Sequence, residues 1–151
     1  MGGGWTNPIP RLYFDPAFVT IDRMAKKTKD PLDRPEAALA KIALTYPEVR
    51  EDHPWGERAF KVKGKVFLFL SRHDGGLNVT VKLPLSNAYA LTQPFAKPTG
   101  YGLGKSGWVT NRFENPDDVP LDLFEDWIAE SFRAVAPKKV AAKVEGRGNG
   151  P

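Results

Sequence analysis

Residues 77–83 have the sequence Leu-Asn-Val-Thr-Val-Lys-Leu, in which apolar and polar side chains alternate strictly. Side chains of a β-strand point alternately to opposite faces, so this pattern predicts a strand with one buried and one polar face. Residues 60–63 alternate in the same way, and residues 66–70 form a short apolar run typical of a well-buried strand. Turn signals separate the three segments, at Gly64 and at residues 74–76. The sequence therefore predicts an antiparallel meander.

Two amphipathic helices are predicted on either side of this meander. The first covers residues 34–46, where apolar side chains recur at helical spacing before Pro47. Asp33 and Glu36 have the spacing of a capping box at its start. The second covers residues 120–135 and has a single apolar stripe.

A further strand is predicted over residues 108–113. Packing both helices onto one face of the sheet buries both apolar stripes. The predicted fold class is therefore α+β, a two-layer sandwich of an antiparallel sheet with two main helices on one face. We expect Trp108 and Phe124 to pack in the core between the helices and the sheet.

The chain is predicted to hold one domain between two less regular ends. Residues 1–33 are interpreted as an N-terminal arm or extension, residues 34–136 as the α+β domain, and residues 137–151 as a basic disordered tail. Met24 begins a segment that has the features of a second translation start. Two alternatives therefore stay open for residues 1–23: an upstream extension of the native protein, or a packed arm.

The net charge of +4 is concentrated at the ends of the chain. Residues 35–136 carry twelve basic and thirteen acidic side chains, whereas residues 137–151 carry four basic and one acidic. A basic tail gives salt-sensitive attraction to phosphates that does not depend on nucleic-acid sequence. The charge of the whole chain is therefore weak evidence for a DNA-binding domain.

The composition excludes several kinds of chemistry. The chain has no cysteine and two histidines, so we expect no disulfide, no thiolate nucleophile, no metal site and no cofactor. No activated nucleophile or acid–base pair is visible, so the chain is predicted not to be an enzyme. With neither a membrane-length apolar run nor a signal sequence, a cytoplasmic protein that contacts no membrane is expected.

The first group of candidate site residues lies at a tight basic turn. Lys61, Lys63 and Lys65 cluster there, and Lys82 is expected to join them once the strands pair. Arg58, Lys105 and Arg112 are further candidates for this cluster. Ammonium groups at a hairpin tip can contact DNA phosphates, as in a DNA-binding wing. The alternative, an exposed turn with ordinary surface lysines, stays open.

The second group combines aromatic and basic side chains in or beside loops. Trp55, Tyr101, Lys105 and Trp108 are candidates for a ligand pocket, or they close one end of the sheet. Gly104-Lys105-Ser106 resembles the end of a phosphate-binding P-loop, but Thr99 stands where that motif needs its first glycine. A strand, not a helix, is predicted after it, so we exclude nucleoside triphosphate binding at this loop.

The order of these features resembles the MmcQ/YjbR family of small bacterial proteins over about residues 36–135. The segments that carry the resemblance are residues 43–49 (Ala-Leu-Thr-Tyr-Pro-Glu-Val), 60–67 (Phe-Lys-Val-Lys-Gly-Lys-Val-Phe), 77–82, 104–109 (Gly-Lys-Ser-Gly-Trp-Val), 119–121 and 128–132. The resemblance implies a fold similar to CyaY, the bacterial frataxin homologue. The family is commonly labelled DNA-binding with a double wing, which corresponds here to the turn from Lys61 to Lys65, and it offers no established catalytic residues. The first helix lacks the acidic ridge that frataxins use for iron, so iron binding is not implied.

Two functional hypotheses follow from the sequence. The first is a non-enzymatic protein that binds DNA weakly and in a salt-sensitive way through Lys61, Lys63, Lys65 and Lys82. The second is a small-molecule or protein-binding module that uses a pocket around Trp55, Tyr101, Lys105 and Trp108. Nothing in the sequence names a protein partner.

Overall fold

One layer of the protein is an antiparallel sheet. The structure is a computed structural model that describes residues 30–144, and these residues form six strands. The strands are β1 (Val49–Asp52), β2 (Arg58–Val62), β3 (Lys65–His73), β4 (Gly76–Lys82), β5 (Ala96–Pro98) and β6 (Trp108–Phe113), arranged in the order β1-β2-β3-β4-β6-β5. The meander predicted from the sequence is confirmed as β2, β3 and β4.

The second layer is helical. The two main helices are α1 (Asp33–Leu44) and α3 (Leu121–Val135), and two short helices are α2 (Asn87–Ala90) and α4 (Lys138–Ala142). Helix α3 packs on β3 and β4 and also against α1. The predicted α+β sandwich with both main helices on one sheet face is confirmed, and the helix boundaries differ from the prediction by one or two residues.

The strand registers assign each side chain to one of two sheet faces. Phe60, Leu68 and Val81 are register partners whose side chains are fully buried beneath the helices, and we call this side the helix face. Their chain neighbours, such as Phe69 and Lys82, point the opposite way because strand side chains alternate. We call that second side the open face.

Aromatic rings join the helical layer to the sheet. The ring of Phe132 in α3 stacks on Tyr46 at a centroid distance of 4.7 Å and meets Phe67 edge-on at 5.2 Å. Phe124 meets Phe113 edge-on at 5.9 Å and is fully buried, as predicted. Burying such rings is among the largest contributions that single side chains make to stability.

A β-bulge interrupts the meander at Phe67, since Phe60 pairs with Leu68 whereas Lys61 pairs with Val66. Ser131 of α3 lies at this point and is fully buried. Its hydroxyl donates to the carbonyl oxygen of Phe67 at 2.6 Å and accepts from the backbone N–H of Lys82 at 2.8 Å. This small helix residue lets α3 approach the sheet closely, and its hydroxyl satisfies two strand groups.

Strands β1 and β5 and helix α4 are absent from the sequence-based prediction. Three of the four residues of β1 are charged, and β5 has three residues and ends in proline, so neither shows an apolar pattern. The tail was predicted to be disordered from residue 137, but residues 138–142 form α4. Val140 and Val144 are 2% exposed and join the core. Residues 145–151 lie outside the described part of the chain, as do residues 1–29 of the predicted arm.

The capping box predicted for α1 is wrong. No side chain caps the helix at Leu32, and the two carboxylates instead contact arginines of the sheet. Arg72 Nη1 lies 2.9 Å from Asp33 and 2.8 Å from Glu36, and Arg58 Nη1 lies 3.0 Å from Glu36. The two arginines lie on the helix face, so these ion pairs fix the start of α1 on the sheet.

Trp108 is not part of the core between helices and sheet, which corrects the prediction. It begins β6 opposite Lys82, and both side chains lie on the open face. The ring is half-buried, 6.0 Å from the ring of Phe69 on the same face. Its strand assignment was right, but its assigned face was wrong.

Candidate functional site

The basic turn between β2 and β3 is lined with carboxylates. Lys63 and Gly64 form the turn with φ angles of 51° and 82°, a left-handed conformation that tight hairpins require. Lys63 Nζ lies 2.6 Å from Glu48, and Lys61 Nζ lies 3.0 Å from Asp52. Strand β1, which the sequence did not reveal, contains Asp52 and directly follows Glu48, so its pairing with β2 brings both carboxylates to the lysines.

These contacts neutralise much of the positive charge of the turn. Hydrogen bonds from Lys143 and Lys63 lower the pKa of Glu48 from 4.5 to about 2, and a hydrogen bond from Lys61 lowers the pKa of Asp52. Both carboxylates are therefore charged at neutral pH. A groove of about 760 Å³ beside the turn is lined by Arg50, Lys61 and Lys63 together with three carboxylates. The wing predicted from the sequence is thus a region of mixed charge.

The four predicted DNA-binding lysines do not form one surface. Lys61 and Lys82 lie on the open face, two strands apart. Lys65 pairs with Val62, whose buried side chain lies on the helix face. The side chain of Lys65 therefore extends from the helix face as well. Lys63 lies in the turn itself.

The four residues of the predicted aromatic pocket come from two separate parts of the fold. The backbone of Trp55 lies in the short helical turn three residues before Arg58, where β2 begins. Trp108 begins β6, three strands away, which is about 14 Å across the sheet. Trp108 is also offset along the strand direction. The register partners Leu70 and Val79 align Arg58 with Asn111, which is three residues after Trp108 in β6. Tyr101 is fully exposed at 104%, and Lys105 is exposed in the turn before β6.

Basic side chains are concentrated on the open face. Five basic residues of the strands point there, against one acidic residue, Asp52; the five are Arg50, Lys61, Lys82, Lys97 and Arg112. Lys61 is paired with Asp52, and Arg112 is 3.5 Å from Glu114. For the other three, no carboxylate of residues 30–144 lies within ion-pair distance.

A band of hydroxyl and aromatic groups crosses the centre of the open face. Thr110 Oγ1 lies 3.0 Å from Thr80 Oγ1 and 2.9 Å from Thr99 Oγ1, forming a chain of three hydroxyls. Phe69 lies next to Thr80, and Trp108 lies beside Lys82. The face therefore combines cations, hydroxyls and two aromatic rings.

Arg112 is held in place by the hairpin between β3 and β4. Its Nη2 donates to the carbonyl oxygen of Asp74 at 3.1 Å, and its Nη1 lies 3.4 Å from Asn78 Oδ1. The guanidinium crosses directly over Gly76, where a Cβ atom would meet it at 2.5 Å. Glycine at this position leaves the space that the arginine occupies.

The main helix α3 has the opposite charge. Helix α3 exposes Asp122, Glu125 and Asp126, with Arg133 as the one basic residue of the helix. The near-neutral charge of residues 35–136 therefore hides a separation of charge between the open face and α3. A surface of this kind attracts anions to one side of the molecule.

Comparison with known proteins gives the family. The YjbR family model matches residues 44–134, which is more than half of the chain. The chain belongs to the YjbR family. The structure is also similar to the crystal structure of Deinococcus radiodurans protein DR2400, which carries the DUF419 domain. The TM-score is 0.55 at 22% identity, over 75% of this chain and 88% of that one. The comparison with curated proteins finds no match.

Two further observations concern this YjbR-family chain between residues 30 and 144. No helix there has the length and apolar character needed to cross a membrane. No three His, Asp or Glu side chains of that region group as ligands for a metal ion. The sequence-based reasoning named Lys61, Lys82 and Arg112 but missed Arg50 and Lys97. The five cations come from five different strands and share a face only through the strand registers.

Proposed function

We propose that the protein binds nucleic acid through the open face of the sheet, and that it acts by binding and not by catalysis. The observation that carries the proposal is the five-to-one excess of basic over acidic strand residues on that face. Phosphate groups are the anions that such a spread of cations fits, because nucleic acid presents them in a regular row.

The free cations separate this face from the basic turn. Arg50, Lys82 and Lys97 have no carboxylate of the described residues as a partner, so they can bind phosphates without first breaking an ion pair. To bind phosphates, Lys61 and Lys63 would have to break their ion pairs with Asp52 and Glu48, respectively. The open face therefore replaces the turn as the principal contact surface in this proposal.

The charge of helix α3 favours one binding orientation. The carboxylates on α3 repel phosphates, so nucleic acid approaching from that side meets a repulsive field, and nucleic acid approaching the open face meets an attractive one. Contacts to phosphates give affinity without sequence preference. Binding through this face is therefore expected to be weak, salt-sensitive and similar for different sequences.

Two triple variants of the full chain test this proposal. The first is Arg50→Ala/Lys82→Ala/Lys97→Ala on the open face, and the matched control is Lys41→Ala/Lys63→Ala/Lys65→Ala on the helical side and in the turn. Both remove three positive charges and leave the basic tail unchanged. Binding to a labelled oligonucleotide is measured at several salt concentrations.

The expected result is a loss of affinity confined to the open-face variant. Each phosphate contact contributes roughly 0.7–0.9 to the slope of log affinity against log salt, so this slope should fall by about 2–3 in magnitude. Equal losses in both variants would mean that charge acts without a defined surface. A larger loss in the control would restore the basic turn as the binding element.

A further inference from the structure

We infer that the nucleic acid bound on the open face is single-stranded, with unpaired bases stacked on Trp108 and Phe69. This inference rests on the proposed function and names the class of nucleic acid that the same face takes. It starts from the two aromatic side chains that lie among the cations, since phosphate binding alone needs no aromatic rings.

The aromatic side chains lie within the row of cations. Trp108 is the register partner of Lys82, so a base on the indole brings its phosphate close to an unpaired ammonium group. The ring of Phe69 is 6.0 Å from the indole and tilted by 53°. Two half-buried rings at this distance offer platforms for neighbouring bases, and aromatic stacking is sequence-tolerant because every base has a π-face.

The spacing of the cations fits a strand that crosses the sheet. Lys61 and Lys82 are two strands apart, about 10 Å, and Lys97 lies on the far side of Trp108 on β5. A backbone that crosses β3, β4 and β6 therefore passes a cation before and after the aromatic pair. The partly exposed hydroxyls of Thr99 and Thr110 lie beside this path and can donate to or accept from base edges, whereas Thr80 is buried beneath them.

A duplex would leave these features unused. Paired bases are stacked inside the double helix, so their faces cannot reach Trp108 or Phe69 without extrusion. The hairpin that could enter a groove has lysines that are paired with Glu48 and Asp52. The structure thus offers a stacking surface to single strands and a hairpin of mixed charge to duplexes.

The experiment compares a labelled 20-nucleotide strand of mixed sequence with the duplex of the same sequence. The full chain is titrated with each at equal salt, together with the variants Trp108→Leu and Phe69→Leu. Leucine retains apolar bulk on the sheet but removes the aromatic face. Tyr101→Leu is the matched control, because Tyr101 is a fully exposed aromatic residue in a loop.

We expect the single strand to bind at least tenfold more tightly than the duplex. Loss of one stacked base typically lowers affinity by roughly five- to 150-fold, so Trp108→Leu and Phe69→Leu should each reduce single-strand affinity by about tenfold. The slope against salt should stay the same, because no phosphate contact is lost. Tyr101→Leu should bind as the wild type does.

The inference and the proposed function fail in different ways. Equal affinity for strand and duplex, unchanged in Trp108→Leu and Phe69→Leu, overturns the inference. The proposed function then still stands if the open-face triple variant loses binding. Absence of binding to both probes at low salt overturns the proposed function, and the inference with it.

Discussion

The hydroxyl of Ser131 in α3 donates a hydrogen bond to the carbonyl oxygen of Phe67, 2.6 Å away in β3. The hydroxyl oxygen of Ser131 also accepts a hydrogen bond from the backbone N–H of Lys82 at 2.8 Å. A single helix side chain thus bridges two strands at the bulge and supports the strand end that carries Lys82 and faces Trp108. The helical layer stabilises the open face through this contact.

Replacing Ser131 with alanine should destabilise the fold. The change leaves a carbonyl and an N–H without their partner in a buried place, and each unpaired group costs about 1–3 kcal/mol. Chemical denaturation should therefore give a free energy of unfolding lower by about 2 kcal/mol or more. Ser106→Ala, at an exposed turn, is the control and should have no measurable effect. A loss below about 0.5 kcal/mol for Ser131→Ala would show that the two strand groups find other partners.

Replacing Gly76 with alanine should weaken nucleic-acid binding through Arg112. The new Cβ atom would meet the guanidinium at 2.5 Å, and this flexible side chain would move away from its position on the open face. The slope of affinity against salt should fall in magnitude by about 1, as for one phosphate contact. Gly75→Ala is the control, because it introduces strain at a φ of +77° but leaves the space around it open. Unchanged binding in Gly76→Ala would exclude Arg112 from the interface.

Helix α4 should contribute to the stability of the domain. Val140 is 2% exposed, so Val140→Ala removes about two methyl-sized groups from the core and should cost about 2 kcal/mol in the free energy of unfolding. Lys139→Ala, an exposed position on the same helix, should leave the free energy unchanged. A neutral Val140→Ala would mean that α4 does not remain packed in solution.

The cluster of Glu48 with Lys63 and Lys143 should make stability depend on acid pH. The pKa of Glu48 falls to about 2 in the folded protein from an ordinary value of 4.5. The contribution is therefore fully present above about pH 4.5 and is lost as the pH falls through 2. Melting temperatures of the wild type and Glu48→Gln should differ at neutral pH and converge near pH 2. A difference that persists unchanged at pH 2 would exclude this ion cluster as its cause. The cluster is exposed, so high salt should also reduce the difference.

The sequence predicted the helices and strands whose buried side chains follow a regular pattern. Strand β4 and helix α3 bury regular apolar patterns of period 2 and 3.6, so each was predicted within one residue of its observed bounds. Strand β1 is mostly charged and exists because it pairs with β2, which is a tertiary effect. Asp33 and Glu36 had the right spacing for a cap, but Arg72 and Arg58 compete for them from the sheet.

The candidate site was predictable in part. Lys82 and Trp108 were both named from the sequence, but in two different sites, and the register of β4 with β6 makes them direct neighbours. Lys63 and Lys65 were named because they are close in sequence, yet the turn and the pleat direct them away from the open face. Composition by segment could not reveal the basic face, because the opposing charges of α3 cancel it in the total.

Side-chain NMR of the full chain during titration with a single-stranded oligonucleotide tests the central claim most directly. The account predicts that the NMR signals of the Trp108 indole N–H and of the Thr99 and Thr110 methyl groups shift first, because these groups are partly exposed on the open face. The NMR signals of the Leu39 and Ile128 methyl groups, which are buried on the helical side, should not shift. Shifts confined to Lys63 and Gly64 at the turn, with Trp108 and the threonines unmoved, would contradict the account.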